Sequence, residues 1–181
     1  MEKQTFLNRF LLHNQPVSCD LHLPETLSLT RHKTLKKAAV LMALVKRRNG
    51  LNIILTERAL HLRHHPGQIS FPGGKQEQFD QSLQHTALRE TKEEIGILSE
   101  QVSVFGTLSN LATVSGFVIS PYIGFVDSHH SLAIDAKEVR SVFEVPLEYI
   151  LNKKNFYQEP LQASRQGHHI YCIPYQNRFI W

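Results

Sequence analysis

At 181 residues and 20.8 kDa, the chain has the length of one domain and enough residues to bury a substantial core. Its 41% hydrophobic and 20% charged residues exclude a disordered chain, and no apolar run approaches the ~18 residues of a membrane span. The net charge of +4 and pI near 9.1 admit an anionic partner. Lys and Arg are dispersed, however, with KTLKK and KRR the densest groups and no basic block interleaved with aromatics, so a small phosphorylated molecule is favoured over nucleic acid.

In chain order, residues 2–13 carry Phe6, Leu7, Phe10 and Leu11 at helical spacing and predict an amphipathic helix. Pro16 to Thr34 is irregular and polar, a covering segment. AAVLMALV, Ala38 to Val45, reads as a buried strand. A second apolar run follows a Lys/Arg-rich stretch ending in Asn49-Gly50, which signals a hairpin. LHLRHHPGQISFPGG reads as a loop with a short strand, Gln68 to Phe71, ahead of Pro72-Gly73-Gly74. A helix is expected from Asp80 to Ile95: Asp80 or Ser82 can cap its start, Leu83, Ala87, Leu88 and Ile95 supply apolar contact, and Gly96 sits where a left-handed residue is wanted. Strand-like runs follow at Val102 to Leu108, Phe117 to Val126, Val139 to Val145 and Ile170 to Pro174, and Pro146 opens a short helix, PLEYIL. Strands flanking one strong helix predict a mixed α/β sandwich, with no repeat or linker to divide it.

The N-terminal MEKQTFLNRFLLHNQP has an early acid and no long apolar stretch, so no secretory signal is expected. Cys19 and Cys172 lie far apart and form no metal-type spacing. Neither a disulfide framework nor a zinc site is expected, and a reducing cytoplasm is the default location. Trp181 leaves a large apolar ring at the chain's end, which suggests a further tail or a partner surface.

RETKEEIG, Arg89 to Gly96, places three glutamates within five residues. On a helix turning about 100° per residue, Glu90 and Glu94 share a face and Glu93 lies beside them. Lys92 points away, and Arg89 can pair with Glu93 one turn on. Like charges one turn apart cost a helix roughly 0.2–0.5 kcal/mol per pair. Two readings are open on the residues: a solvated acidic face, or a site for a hard divalent cation such as Mg²⁺, which takes carboxylate oxygens. Ahead of the helix, Gly73 and Gly74 let the backbone approach a ligand closely and can aim N–H groups at an anion.

The Gly-Gly turn followed by R-E-x-x-E-E-x-G resembles the signature of the Nudix hydrolases, G-x5-E-x7-R-E-U-x-E-E-x-G-U, where U is a bulky aliphatic residue. Arg89, Glu90, Glu93, Glu94, Gly96 and Ile97 match. The spacing from Gly74 to Arg89 is one residue longer than the common form, the mid-box acid is Asp80 rather than glutamate, and Thr91 takes an aliphatic position. Upstream, ILTERALHLRHHPGQISFPGG, Ile54 to Gly74, resembles the L-L-T-x-R-[SA]-x3-R-x3-G-x3-F-P-G-G stretch of coenzyme A pyrophosphatases, a subfamily that tolerates the longer box. Leu55, Thr56, Arg58, Ala59, Arg63, Gly67, Phe71, Pro72, Gly73 and Gly74 match, and Ile54 replaces a leucine.

The resemblance implies a Nudix-type α/β/α sandwich with a mixed sheet and the Nudix loop-helix. Residues 1–181 would form a single domain, with 1–34 an N-terminal helix and covering segment and the box at about 74–97. It implies metal-dependent hydrolysis of a nucleoside diphosphate linked to another moiety. For coenzyme A or its derivatives the products would be 3′,5′-ADP and 4′-phosphopantetheine or its acylated form. Glu90, Glu93 and Glu94 would hold Mg²⁺ or Mn²⁺, and Arg89 would orient them. The general base would be a box glutamate or Glu138 in DAKEVR, whose other reading is a solvated loop acid. Arg58 and Arg63, with Gly73 and Gly74, would contact substrate phosphates; each arginine reads equally as a structural ion pair. His61, His64 and His65 would line a polar loop rather than bind metal, and His129-His130 and His168-His169 would lie at the surface. The partner would be a small-molecule pyrophosphate, with no membrane involved and the protein a monomer or homodimer. Two alternatives stand beside this: the same chemistry on ADP-ribose, a dinucleotide or a nucleoside triphosphate, or a non-catalytic Nudix module that senses a metabolite or binds RNA.

Overall fold

Apolar residues recur on both faces of β1 (Lys36–Arg47), which puts this strand at the middle of the sheet. A two-residue turn returns the chain antiparallel as β2 (Gly50–Arg58), with Arg47 opposite Gly50, the hairpin that Asn49-Gly50 signals. The computed structural model describes residues 1–13, 35–113, 115–160 and 169–181; the expected covering segment from Pro16 to Thr34, Cys19 and His168 lie outside them. The sheet order is β3-β2-β1-β7-β5, where β3 is Ile69–Ser70, β5 is Val102–Thr107 and β7 is Phe117–Val126. β4 (Gly73–Lys75) also pairs with β1, β6 (Leu111–Ala112) with β7, and β8 (Val139–Pro146) with β2. β1 and β7 run parallel, Ala38 opposite Ile119 and Val45 opposite Val126, while the other pairings of this sheet are antiparallel, so the sheet is mixed.

One face of the sheet, with Ala39, Leu41, Val45 and Ile54, packs on Ala87 and Ile95 of α2 (Leu83–Ile95). The opposite face, with Leu44, Ile53, Leu55 and Phe125, is covered by α1 (Lys3–His13), by α3 (Leu147–Leu151), and by Tyr175 and Ile180 from the strands β10 (His169–Tyr175) and β11 (Arg178–Ile180). β9 (Tyr157–Pro160) completes that second, three-stranded antiparallel unit. The α/β/α layering follows from the alternation of strand side chains, each face needing its own cover. On the α1 side, Phe10 meets Phe105 edge-on at 5.6 Å and Phe105 stacks on Phe125 at 4.5 Å. Among the described residues no helix is long and apolar enough to cross a membrane. Cys172 is a free thiol, and the ring of Trp181 is exposed.

The one displaced boundary that matters is the start of α2. The helix begins at Leu83, not Asp80, because Ser82 adopts an extended backbone and its Oγ accepts the amide of His85 at 3.1 Å. It ends as expected, Gly96 at φ 79° returning its N–H to Lys92 O. Releasing Asp80 from the cap frees it for the site.

Candidate active site

The core-facing stripe of α2 consists of Thr86, Ala87, Thr91, Glu94 and Ile95, so one glutamate of the trio lies on the apolar side of its own helix. Thr91, where an aliphatic residue is usual, satisfies its buried hydroxyl by donating to Ala87 O at 2.6 Å. Glu94 is 3% exposed. Burial pushes its carboxyl up to about 8; the amide of Gly73, donating to Oε2 at 3.2 Å, works against this, Glu90 and Glu138 add to it, and the charge of Arg58 opposes it. Glu90 is also raised, mainly by burial, with Arg89 pulling the other way and Glu93 and Glu138 reinforcing the rise.

The raised Glu94 makes a prediction for the metal-free protein. In the unfolded chain this carboxyl ionises near 4.3, whereas in the folded chain it holds its proton up to about 8. Between those values the folded state binds more protons, so stability falls as pH rises. The melting temperature in chelator should drop from pH 5.5 to pH 8.5, and the drop should shrink in Glu94→Gln. A slope that is the same in the variant would show that Glu94 is not its source.

The loop ahead of the helix seats its backbone directly on these carboxylates. Gly73, in β4, has φ 154°, and a Cβ there would stand 2.4 Å from Ala39 O. A Cβ on Gly74 would stand 2.5–2.6 Å from the Glu90 carboxylate. Arg89 is held from the other side: Nε and Nη2 donate to Asp80 Oδ1 and Oδ2 at 2.9 and 3.0 Å, and Nη2 also reaches Lys75 O. Its Nη1 is thereby left for Glu90, at 2.9 Å, and Glu93, at 2.8 Å. Asp80 is fully buried and also accepts from Glu77 N, Thr86 Oγ1 and His85. The bidentate bond from Arg89 holds its carboxyl far below the usual carboxylate range. In the sequence Asp80 stands only as a cap or a box mismatch; its place between the Gly-Gly turn and the helix is the signal for this anchoring.

The fold therefore divides the glutamate trio. Glu90 and Glu94 face the glycine loop, joined by Glu138 and Arg58, which act on Glu94 electrostatically from β8's leading turn and the end of β2. Glu93 points outward, half-exposed, with its carboxylate on Arg89. Among the described residues, no three His, Cys, Asp or Glu side chains are placed so as to hold a metal by themselves. Glu90 and Glu94 nevertheless form an all-oxygen donor set suited to a hard cation, which ordinarily completes its shell with water and substrate oxygens. A cation would also supply the positive charge that a buried, repelled carboxylate lacks. Arg58 Nε is buried with no hydrogen-bond partner among the described residues, a donor that a ligand oxygen would satisfy. Arg63 lies farther out, on the exposed loop with His61, His64 and His65. His129 is exposed and His130 partly so.

Residues 35–163 match the NUDIX domain. The chain belongs to the Nudix family. It is 36% identical over 181 residues to the uncharacterized Nudix hydrolase NudL of Yersinia pestis (strain Pestoides F), a match spanning 97% of this chain and 86% of that protein. The NudL of Yersinia pseudotuberculosis serotype O:1b (strain IP 31758) matches equally. Among solved structures, the Nudix hydrolase RenU of M. smegmatis superposes with a TM-score of 0.55 at 20% identity, over 64% of this chain and 73% of that one. The NUDIX domain of Shewanella oneidensis NrtR, solved with ADP ribose, gives 0.53 at 20% identity, over 80% and 85%. These likenesses establish the mixed α/β Nudix fold. Membership makes the chain a Nudix hydrolase, an enzyme acting on nucleoside diphosphate derivatives, in a family that generally uses divalent ions such as Mg²⁺ or Mn²⁺.

For a Nudix hydrolase, the Gly74 contact has a direct consequence. Gly74→Ala must push the Glu90 carboxylate from its place, and a misplacement of about 1 Å within an active site costs up to ~10²-fold. A fall in kcat of about 10-fold or more is expected by steady-state assay; unchanged kcat would mean that the position of Glu90 is unimportant.

Proposed function

We propose that this Nudix hydrolase cleaves the pyrophosphate bond of coenzyme A or its derivatives, releasing 3′,5′-ADP and 4′-phosphopantetheine or its acylated form. The reading is carried by Arg58: it falls in the stretch that resembles coenzyme A pyrophosphatases, its Nε is a buried donor without a partner among the described residues, and its charge acts on Glu94. Such a donor suits a phosphate oxygen, with charge-assisted bonding. Arg63, on the loop that follows, is assigned to the more distant phosphate of the same substrate.

A bound Mg²⁺ or Mn²⁺ would neutralise phosphate charge and acidify water, the two needs of phosphoryl transfer. Glu90 and Glu94 are assigned to hold it, with Glu93 on the outer side of the same turn. Arg89, clamped by Asp80, keeps Glu90 aimed at the site. Gly73 and Gly74 are assigned to line the pyrophosphate site from the side of the carboxylates, the Gly73 amide holding Glu94 and the bare Gly74 leaving room for Glu90. Glu138 is assigned as the base that takes the proton from water as the oxygen joins phosphorus and the bridging P–O bond breaks. The setting is a reducing cytoplasm, with a small molecule rather than nucleic acid as partner.

Product analysis tests the assignment. Purified protein is given coenzyme A, ADP-ribose and a nucleoside triphosphate, each with Mg²⁺, with Mn²⁺ and with chelator. Metal-dependent release of 3′,5′-ADP is expected. Survival of coenzyme A while another pyrophosphate is cut would overturn the substrate and leave the chemistry standing.

A further inference from the structure

Glu138 has no motif to mark it, and it lies on an exposed turn, yet it acts on both Glu90 and Glu94. The main chain explains how. The last carbonyls of a helix have no partner within it, and in α2 two of them are taken by the segment before β8: Ala133 N donates to Ile95 O at 2.9 Å, and Asp135 N to Glu94 O at 3.0 Å. Asp135 then folds the chain back on itself. Its carboxylate Oδ1 accepts Lys137 N at 2.9 Å, an Asx turn, and its carbonyl accepts both Glu138 N at 3.0 Å and Val139 N at 2.9 Å. On the far side, Glu138 O accepts Ala59 N at 2.9 Å, the amide next to Arg58. The turn is thus strapped at one end to the backbone of Glu94 and at the other to the residue following Arg58.

We propose that Asp135 is a positioning residue, whose side-chain turn and amide bond to Glu94 fix the Glu138 carboxylate within the reacting cluster. The proposal rests on the reading of Glu90, Glu94 and Glu138 as the working carboxylates. Asp135 itself touches neither substrate nor cation. Its role requires an oxygen at Oδ1 and no negative charge, so asparagine serves where alanine does not.

The test compares Asp135→Ala, Asp135→Asn, Glu138→Gln and the double variant Asp135→Ala/Glu138→Gln. Glu94→Gln is the control for the site as a whole. Asp135→Ala is expected to lower kcat about 10- to 100-fold with KM changed less than about threefold. Asp135→Asn should stay within about threefold of the parent. The double variant should be no slower than Glu138→Gln alone, because a residue acting only through another has nothing left to contribute. Amide hydrogen exchange, read without substrate or metal, should quicken at Lys137, Glu138 and Val139 in the alanine variant and not in the asparagine one. A wild-type kcat in Asp135→Ala, an equal loss in Asp135→Asn, or multiplicative losses in the double variant would overturn the proposal. If Glu94→Gln abolishes turnover while Glu138→Gln leaves it intact, Glu138 has no role to position and the proposal falls alone. If Glu94→Gln is fully active, the carboxylate reading falls as well.

Discussion

Glu94→Gln is expected to lower kcat at least about 10³-fold, corresponding to ~4 kcal/mol of transition-state stabilisation. The variant keeps the shape of the side chain and a carbonyl oxygen that can still accept the amide of Gly73. What it loses is the negative charge placed deepest in the site. In the metal-free protein that charge is disfavoured by burial and by Glu90 and Glu138, so a cation that neutralises it gains more there than it would at an exposed carboxylate. The same variant should therefore bind Mn²⁺ more weakly by calorimetry and yet melt higher than the parent in chelator at pH 8.5. Loss of activity with unchanged metal affinity would assign Glu94 to proton transfer instead of cation binding.

The second large effect is expected at Asp80, the buried partner of Arg89. Asp80→Ala should destabilise the fold by about 3 kcal/mol, at the lower end of the ~3–5 kcal/mol seen when one partner of a buried ion pair is removed. The lower end applies because Arg89 retains Glu90 and Glu93. The amide of Glu77 would lose its acceptor outright, whereas Thr86 keeps Ser82 O. Because the Asp80 carboxyl is held far below its unfolded value of about 3.9, its contribution is full at neutral pH. That contribution should disappear only as the pH falls below about 4 and on through the depressed value of the folded state. Urea unfolding at pH 7 reads the loss, and kcat should fall too as the freed Arg89 swings toward Glu90 and Glu93. A change within about 0.5 kcal/mol would show that the bidentate pair is dispensable. Arg89→Lys should resemble Asp80→Ala, since an ammonium cannot form two parallel bonds to one carboxylate.

Much of the frame could be read from local chemistry. The β1–β2 hairpin followed from Asn49-Gly50, and α2 from its apolar spacing, Ser82 and Gly96. The strand from Phe117 to Val126 has the bounds its composition suggested. Its parallel pairing with β1 did not follow from composition, because pairing partners far apart in sequence leave no periodic trace. The start of α2 was misplaced because Asp80 and Ser82 are both good caps by type. The choice fell to Ser82 because the Arg89 guanidinium, nine residues on, claims Asp80.

In the site, the inventory is legible in the chain: two glycines, an arginine and three glutamates at helical spacing, with Arg58 and Arg63 upstream. Those identities follow from spacing along one helix and one loop, which the chain carries locally. Which glutamate is buried depends on the fold, since the side of α2 that meets the sheet is chosen by packing against Ala39, Leu41 and Ile54. It alone sent Glu93 outward to Arg89 and gave Asp80 its anchoring place. Glu138 acts electrostatically on Glu94 from 44 residues further along the chain because backbone amides of its own segment complete the end of α2. Hydrogen bonds between main-chain groups are made by every residue type, so nothing in the letters could announce that contact.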